Sequence, residues 1–302
     1  MCLTYVSTKE NAFKLHNNSN TLQIDASDDS ICNMNTFYEY EANDIYTRHV
    51  REEKADGSGY KMHIHDRCEI YYFIEGEADY LVEGSIYHMK RGSLLVMRPG
   101  EVHMAKLLKT GIYERYAINF PISIFDDIDP ERRLMSLYSD HALGKQNLYE
   151  KPEFESLFEK ICGEYTDEYE RKISAYGILL EMISRLYEDF KDRSEGEKII
   201  RYSSVSEKIL RYVNRHICDD LSISILSKEF YLSRSQIGRL FKRLTGASPW
   251  EYITAKRLIL AKEMLRKGIS AKETAEKCGF GDYSSFYRAY FKMYRESPKN
   301  RV

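Results

Sequence analysis

Apolar residues in the last third of the chain recur at three- and four-residue intervals, the spacing of one buried face of an α-helix. After Ser233 they are Ile237, Leu240, Phe241 and Leu244. After Asp282, 49 positions further on, they are Phe286, Ala289, Tyr290 and Met293. Serine and aspartate are favoured helix N-caps, so the pattern predicts two similar helices, each beginning just after its cap.

A third helix is predicted between the two repeats. Pro249–Lys267 contains no internal breaker, and Ser248 with Glu251 has the pattern of a capping box. These 19 residues, at about 1.5 Å each, would form a rod about 28 Å long. The major groove returns to the same side of B-DNA about every 34 Å. The length therefore indicates that the rod spaces two DNA-reading helices over successive groove segments.

The outward faces of the two repeated helices carry the candidate chemistry. The residues opposite the apolar stripe, or beside it, are Ser235, Gly238, Arg239, Lys242 and Arg243 in the first helix and Ser284, Tyr287, Arg288 and Phe291 in the second. Each helix follows a short amphipathic segment and a tight turn, which is the helix-turn-helix arrangement of DNA-binding proteins. Two hairpins of an ordinary helical bundle would explain the stripes but not their repetition.

Upstream, the pattern changes to short β-rich runs separated by turns. From Cys68 the runs read CEIYYFIEG, ADYLVEGSIYHM, GSLLVMRPG and EVHMAKLL. Turns are predicted at Glu83-Gly84-Ser85 and at Arg98-Pro99-Gly100. Regularly spaced short strands predict a small barrel or jelly roll.

Residues 153–193 have the spacing of helices that join the two parts. A heptad-like seam comprises Ile173, Tyr176, Leu180, Ile183, Tyr187 and Phe190. This seam suits either a second protomer or packing within the subunit, and the pattern leaves both interpretations open. An exposed linker is predicted over Lys191–Lys198.

Charge divides the chain at the same place as the hydrophobic pattern. Of the 302 residues, Ser203–Val302 holds 20 Lys and Arg against 10 Asp and Glu, which leaves 25 against 37 for residues 1–202. A basic module favours a polyanionic partner such as DNA. No apolar run is long enough to predict a membrane helix, and the polar first residues do not form a secretory signal. Six scattered cysteines without a CxxC pair suit reduced thiols, so we expect a cytoplasmic protein that does not bind membranes.

The basic module resembles the DNA-binding region of AraC-type transcription regulators. The resemblance covers residues 204–302 and rests on TGASPWEYI, the Gly279-Phe280 pair, DYSSFYRAYFK and the closing Ser-Pro. It implies double-stranded promoter DNA as a partner, a homodimer, and RNA polymerase as a further partner. The DNA-binding residues that it implies are Ser235, Gln236, Gly238, Arg239, Lys242, Arg243, Ser284, Ser285, Tyr287 and Arg288.

Two of these residues are the candidates for sequence readout. Arg239 and Arg288 can pair bidentately with guanine, whereas Lys242 and Arg243 suit phosphates. Phe291 stands where the family usually has lysine, so the second unit is expected to hold phosphates less firmly.

The acidic part resembles a cupin barrel, the sensor domain of many AraC-type regulators. The first cupin motif is matched by Gly57-x5-His63-x-His65-x3-Glu69-x6-Gly76, and Pro99 and His103 approximate the second. The resemblance implies a small-molecule effector, by family analogy a carbohydrate. The effector pocket is expected to include His63, His65, Glu69, Tyr71 and His103.

The same histidines raise the question of a metal ion. If residues 63–69 form one regular strand, His63, His65 and Glu69 point to the same side. With His103 they would form a ligand set for a divalent transition metal. We favour effector binding over metal binding and expect that no cofactor is required.

These observations predict an α+β fold with two domains. Residues 1–125 form a cupin-like effector-sensing barrel, residues 126–200 a helical dimerisation and connecting region with a linker, and residues 201–302 an all-α double helix-turn-helix domain. The predicted function is a ligand-responsive, sequence-specific transcription regulator, an activator and not an enzyme. One alternative is a metal-dependent cupin enzyme fused to a DNA-binding module. Another is a constitutive DNA-binding protein whose barrel only mediates assembly.

Overall fold

Short strands fill the first half of the chain, in agreement with the β-rich runs of the sequence. The computed structural model describes residues 22–23, 35–42, 44–60, 62–196 and 205–299. Within these residues the strands are β1 (Leu22–Gln23), β2 (Asn35–Ala42), β3 (Ile45–Ala55), β4 (His63–Ile64), β5 (Cys68–Glu75), β6 (Ala78–Val82), β7 (Ser85–His88), β8 (Ser93–Met97), β9 (His103–Leu107), β10 (Gly111–Phe120) and β11 (Leu148–Glu150).

The strands form two antiparallel sheets that face each other as a barrel. The smaller sheet has the order β1-β4-β9-β6-β7 and the larger one the order β11-β8-β5-β10-β3-β2. Glu83 and Gly84 form the tight turn from β6 to β7, with φ of 48° and 81°, which suits a hairpin whose strands twist together. Strand β11 pairs with β8, so the larger sheet extends beyond residue 125 into the region that was expected to be helical.

Helices follow the barrel and make up the C-terminal domain. Within the described residues they are α1 (Glu155–Ile161), α2 (Glu168–Gly196), α3 (Val205–Arg215), α4 (Ile223–Glu229), α5 (Arg234–Thr245), α6 (Pro249–Arg266), α7 (Ala271–Lys277) and α8 (Tyr283–Tyr294). Short 3₁₀ turns lie at Leu134–Tyr138 and Pro152–Phe154. None of these helices has the length and apolar composition of a membrane span.

Alternate residues of the larger sheet pack in opposite directions. Those that face the smaller sheet form an inner cluster that includes Tyr71, Phe73, Tyr80 and Tyr113. Those on the other face pack against α1 and α2 in an outer cluster that includes Ile70, Tyr72, Ile118, Leu179 and Ile183. The inner cluster therefore lines the space where a barrel would hold a ligand.

Helix α2 uses most of its apolar seam within the subunit. Ile183 and Phe190 are buried and Leu180 is partly buried, all in the outer cluster, whereas Ile173 near the start of the helix is 55% exposed. The helix continues to Gly196, through most of the segment expected to be an exposed linker. Residue 197 and those after it, to residue 204, lie outside the described part of the chain.

Candidate functional sites

Helices α5 and α8 are the two helices predicted to read DNA, and they are called the reader helices. The first of them, α5, begins with a capping box. The Ser233 hydroxyl accepts a hydrogen bond from the Gln236 amide (3.2 Å), and the Gln236 side-chain oxygen accepts one from the Ser233 amide (2.8 Å). This capping box satisfies two amides at the helix start. Gln236 was predicted to contact DNA, but its side-chain oxygen is engaged in the cap.

The remaining predicted residues of α5 lie on one solvent-facing surface. Ser235, Arg239, Lys242 and Arg243 are exposed, whereas Ile237 and Phe241 on the opposite side are fully buried. A methyl group at Gly238 would meet no atom within 4 Å. Gly238 therefore exposes its backbone to solvent between the basic residues, and no neighbouring group requires a glycine at this position.

The second reader helix, α8, has a different outer face. Asp282 caps the Ser285 amide (2.8 Å), the Ser285 hydroxyl donates back to Asp282 (2.7 Å), and Arg288 donates to the same hydroxyl (3.3 Å). The hydrogen bonds from Ser285 lower the pKa of Asp282. Ser285 thus joins the cap to the guanidinium that was predicted to read bases.

An aromatic pair lies beside Arg288 on this face. Tyr287 and Phe291 are 38% and 45% exposed, and their rings are stacked with centroids 6.3 Å apart. Phe291 therefore presents an aromatic ring at the position where the resemblance implies a lysine. The α8 face is consequently more apolar than the α5 face.

Helix α6 connects the two reader units, of which the first is α4 with α5 and the second is α7 with α8. It spans 18 residues, or about 27 Å, close to the predicted rod. From its centre the buried Arg257 donates to the carbonyls of Ile217 (2.8 Å), Asp219 (2.6 Å) and Gly279 (2.6 Å). These bonds fasten segments of both reader units to α6. Arg257 is consequently a buried structural cation.

The four predicted metal-binding residues do converge, although not from one strand. His63 lies on β4 of the smaller sheet and Glu69 on β5 of the larger sheet. The expectation that His63, His65 and Glu69 share one regular strand was therefore wrong, because the chain turns between His65 and Cys68. The cluster instead brings both sheets together, and His103 lies opposite His63 in the β4–β9 pairing.

Glu69 is the centre of this cluster. Its carboxylate is contacted by His65 Nε2 (2.8 Å), His103 Nε2 (3.2 Å) and the Asn119 amide (3.3 Å). Burial alone would raise the pKa of Glu69, but hydrogen bonds from His103 and His65 hold it well below its usual value. Burial lowers the pKa of His103, and the hydrogen bond to Glu69 outweighs it, so the net pKa is raised. The Glu69 carboxylate and the His103 imidazole thus each favour the charged form of the other.

The geometry of the cluster is compatible with a transition metal. One ligand atom from each of the four residues lies within 4.8 Å of all the others. Ligand atoms bound tetrahedrally at about 2.1 Å lie about 3.4 Å apart, so the side chains would have to move together by up to about 1.4 Å to hold one ion. His63, His65, Glu69 and His103 are the residues that would hold the ion, and their donor set suits Zn²⁺, Fe²⁺ or Mn²⁺.

Tyr71 lies next to this cluster, inside the barrel. Its ring lies 4.5 Å from that of Tyr80, which in turn lies 6.0 Å from the His103 ring. The Tyr71 hydroxyl also lies 2.5 Å from the Tyr113 hydroxyl. One residue that the sequence reasoning missed lies here as well, because the Arg115 guanidinium is 5.7 Å from the centre of the Tyr71 ring. The alternation of IYERYAINF along β10 was the signal that could have revealed it.

The barrel contacts the reader domain, which comprises helices α3 to α8, through α6. Lys256, on α6 and buried, pairs with buried Glu83 and donates to the Gly100 carbonyl (2.5 Å). Lys262, also on α6 and buried, pairs with Asp66 (2.8 Å). A cavity of about 300 Å³ lies beside this contact and is lined by Ser85, Lys145, Leu210, Arg211 and Arg215 among others. This face of the predicted rod is therefore covered.

The fold and these surfaces together define a helix-turn-helix protein with a cupin-like ligand-binding domain. Comparison with known families agrees: residues 48–180 match the AraC-like ligand binding domain, and residues 226–300 match a helix-turn-helix domain. These two matches confirm the resemblance to AraC-type transcription regulators and the predicted fold class.

Curated relatives match part of the chain. A probable transcriptional regulator, LumQ of Photobacterium leiognathi, is 37% identical over 90 residues, which are 29% of this chain and 36% of that protein. The regulatory protein PocR of Salmonella typhimurium is 28% identical over 116 residues, 37% of this chain and 38% of that protein. The chain thus spans less than two-fifths of the length of either relative. Among solved structures, ToxT of Vibrio cholerae is 14% identical with a TM-score of 0.38, covering 85% of this chain and 97% of that one.

Proposed function

We propose that this protein is a sequence-specific DNA-binding regulator of transcription whose activity responds to a small molecule bound in the barrel. The observation that carries the proposal is the pair of exposed reader faces on α5 and α8, fastened to one helix by the three carbonyl bonds of Arg257. A rigid connection of about 27 Å positions two helices for neighbouring segments of one major groove. Activation is the mode of regulation that the family resemblance favours.

Each reader helix is proposed to contribute one arginine to sequence readout. Arg239 and Arg288 are exposed at the centre of their outer faces, and a bidentate arginine–guanine pair contributes about 1–3 kcal/mol of discrimination. Exposed Lys242, one turn further along α5, is proposed to hold a phosphate. Phosphate contacts strengthen binding to every sequence and increase its salt dependence.

A selection experiment tests this division of roles. The full-length protein would first be used to select its preferred duplex from a random library. Arg239→Ala and Arg288→Ala are then expected to lower the ratio of specific to random affinity by about 1–3 kcal/mol each. Lys242→Ala is expected to weaken binding to both duplexes and to reduce the salt slope by about one. Lys109→Ala, an exposed lysine on the barrel surface paired with Glu77, is the control and should change neither quantity.

The selection also has an outcome that contradicts the proposal. If neither arginine variant changed the ratio of specific to random affinity, the two helices would not be reading bases. Failure of the native protein to enrich any duplex would contradict DNA-binding function as a whole.

Further partners are proposed for the barrel and for α2. The effector is proposed to lie between the two sheets beside His65, Glu69, Tyr71 and His103, and a metal ion held by the histidine cluster is the second candidate occupant. The exposed start of α2, where Tyr169 and Ile173 are 76% and 55% exposed, is proposed to contact a second copy of the chain. RNA polymerase is the proposed partner in activation, and the cytoplasm the proposed location.

A further inference from the structure

An arginine inside the barrel, Arg115, has no ionic partner among the residues that the structure describes. Arg115 lies on β10 directly opposite Phe73 on β5, and Phe73 belongs to the cluster between the sheets. The guanidinium lies 5.7 Å from the centre of the buried Tyr71 ring. Among the described residues, none provides Arg115 with a hydrogen bond or a carboxylate partner. Its side chain nevertheless retains some accessible surface, so it borders a space inside the barrel.

The groups around this guanidinium are neutral. Tyr71, Tyr80 and Tyr113 carry phenol hydroxyls, which are uncharged at neutral pH. The Tyr71 ring offers a cation–π contact, which compensates only part of the cost of removing a guanidinium from water. A buried charge of this kind is normally paired. The missing partner points to a ligand that brings its own negative charge.

The carboxylates of the barrel do not fill this role, because they are engaged elsewhere. Glu52 on β3 contacts the Tyr60 hydroxyl. Glu69 accepts its hydrogen bonds from His65, His103 and Asn119. These two carboxylates also limit the charge of a ligand, because a dianion would bring a second uncompensated negative charge close to them. A single guanidinium matches one carboxylate in bidentate geometry.

We propose that Arg115 anchors the carboxylate of a monoanionic effector, with Tyr71, Tyr80 and Tyr113 surrounding a ring-sized body. This inference rests on the proposed function, which it deepens, and it replaces a neutral carbohydrate with an acidic ligand as the chemical class. The tyrosine hydroxyls supply hydrogen-bond donors and acceptors, and their rings supply stacking faces. An acidic sugar and an alicyclic acid both fit this description.

Matched pairs of probes isolate the contribution of the carboxylate. Calorimetric titrations of the full-length protein would compare D-glucuronate with D-glucose and cyclohexanecarboxylate with cyclohexylmethanol. At least one acid is expected to bind at least tenfold more tightly than its neutral counterpart. Arg115→Met should abolish that preference, and Arg115→Lys should keep part of it because the charge remains while the planar fork is lost. Arg133→Met, a substitution of an exposed arginine paired with Glu131, is the control and should retain the full preference.

A stability measurement separates a ligand anchor from a structural residue. Because Arg115→Met removes an unpaired charge from the barrel, the ligand-free variant is expected to unfold at the same temperature as the native protein or above it. A lower unfolding temperature, equal binding of acids and alcohols by the native protein, or a preference that survives in Arg115→Met would each overturn the inference. The DNA affinity of the ligand-free protein should not change in Arg115→Met. A native protein that bound the acids but enriched no duplex would contradict the proposed function and leave this inference standing.

Discussion

The buried ion pair between the barrel and α6 can be tested by a double-mutant cycle. Glu83 Oε1 accepts from the Val102 amide (2.8 Å) and pairs with Lys256, while Glu83 Oε2 accepts from the Tyr252 hydroxyl (2.5 Å). Lys256 also donates to the Gly100 carbonyl. Both charges are at most 7% exposed, so neither is solvated if its partner is removed.

The magnitude follows from this burial. Removing one partner of a buried pair typically costs about 3–5 kcal/mol, because the other charge is left without compensation. Glu83→Gln and Lys256→Met are therefore each expected to lower the free energy of unfolding by about 3 kcal/mol or more. The double variant leaves neither charge without a partner. Its loss in free energy of unfolding should therefore be smaller than the sum of the two single losses by about 1–3 kcal/mol.

Urea unfolding would measure these values, and the chain provides its own reporter. Trp250 is the single tryptophan, and it lies near the start of α6, two positions before Tyr252. The exposed pair Lys109–Glu77 (2.6 Å) serves as the control cycle, with an expected coupling below about 1 kcal/mol. If the coupling between Glu83 and Lys256 were no larger than that of the exposed pair, the argument that this contact joins the two domains would be refuted.

Two further perturbations test the spacing of the reader helices and the histidine cluster. Two residues inserted between Glu263 and Met264 should rotate α8 by about 200° relative to α5, whereas four residues should rotate it by about 400°, close to a full turn. DNA affinity should therefore be highest for the native protein, lower for the four-residue insertion and lowest for the two-residue insertion. Equal affinities would mean that the two helices are not rigidly coupled. The double variant His65→Ala/His103→Ala should lose the effector response, while the DNA affinity of the ligand-free protein should not change. In equilibrium dialysis it should also lose any stoichiometric binding of Zn²⁺, Fe²⁺ or Mn²⁺. His141→Ala is the control for both measurements. Because Glu69 raises the pKa of His103, a proton competes with the metal and metal affinity should rise with pH; retained metal binding in the double variant would place the ion elsewhere.

The reader helices could be predicted from the sequence because their determinants are local. A cap at Ser233 or Asp282 acts on amides two or three residues away, and each apolar stripe repeats within one helix. The Ser248–Glu251 capping box was confirmed for the same reason. Interactions within one turn of helix are readable from the order of residues alone.

The contacts of the barrel could not be predicted in the same way. Lys256 is 173 positions from Glu83 and Lys262 is 196 positions from Asp66, so no local pattern relates them. Lysines on a helix between two polar reader units are most simply read as solvent-exposed. The single-strand expectation for Glu69 failed because a turn separates β4 from β5, and strand parity holds only within a regular strand. Arg115 alternates visibly along β10, but only strand pairing shows which side of β10 lies between the sheets.

Hydrogen bonds and an ion pair connect the region of the proposed effector pocket to α6. The His65 carbonyl accepts a hydrogen bond from the Gly100 amide (2.9 Å), and the carbonyl of the same glycine accepts from Lys256 on α6. Asp66, the next residue after His65, pairs with Lys262, which is also on α6. A ligand that repositions β4 must therefore either carry α6 with it or leave a buried lysine poorly paired. Since Arg257 joins both reader units to α6, we expect an effector bound in the barrel to shift the whole reader domain and not one of its helices.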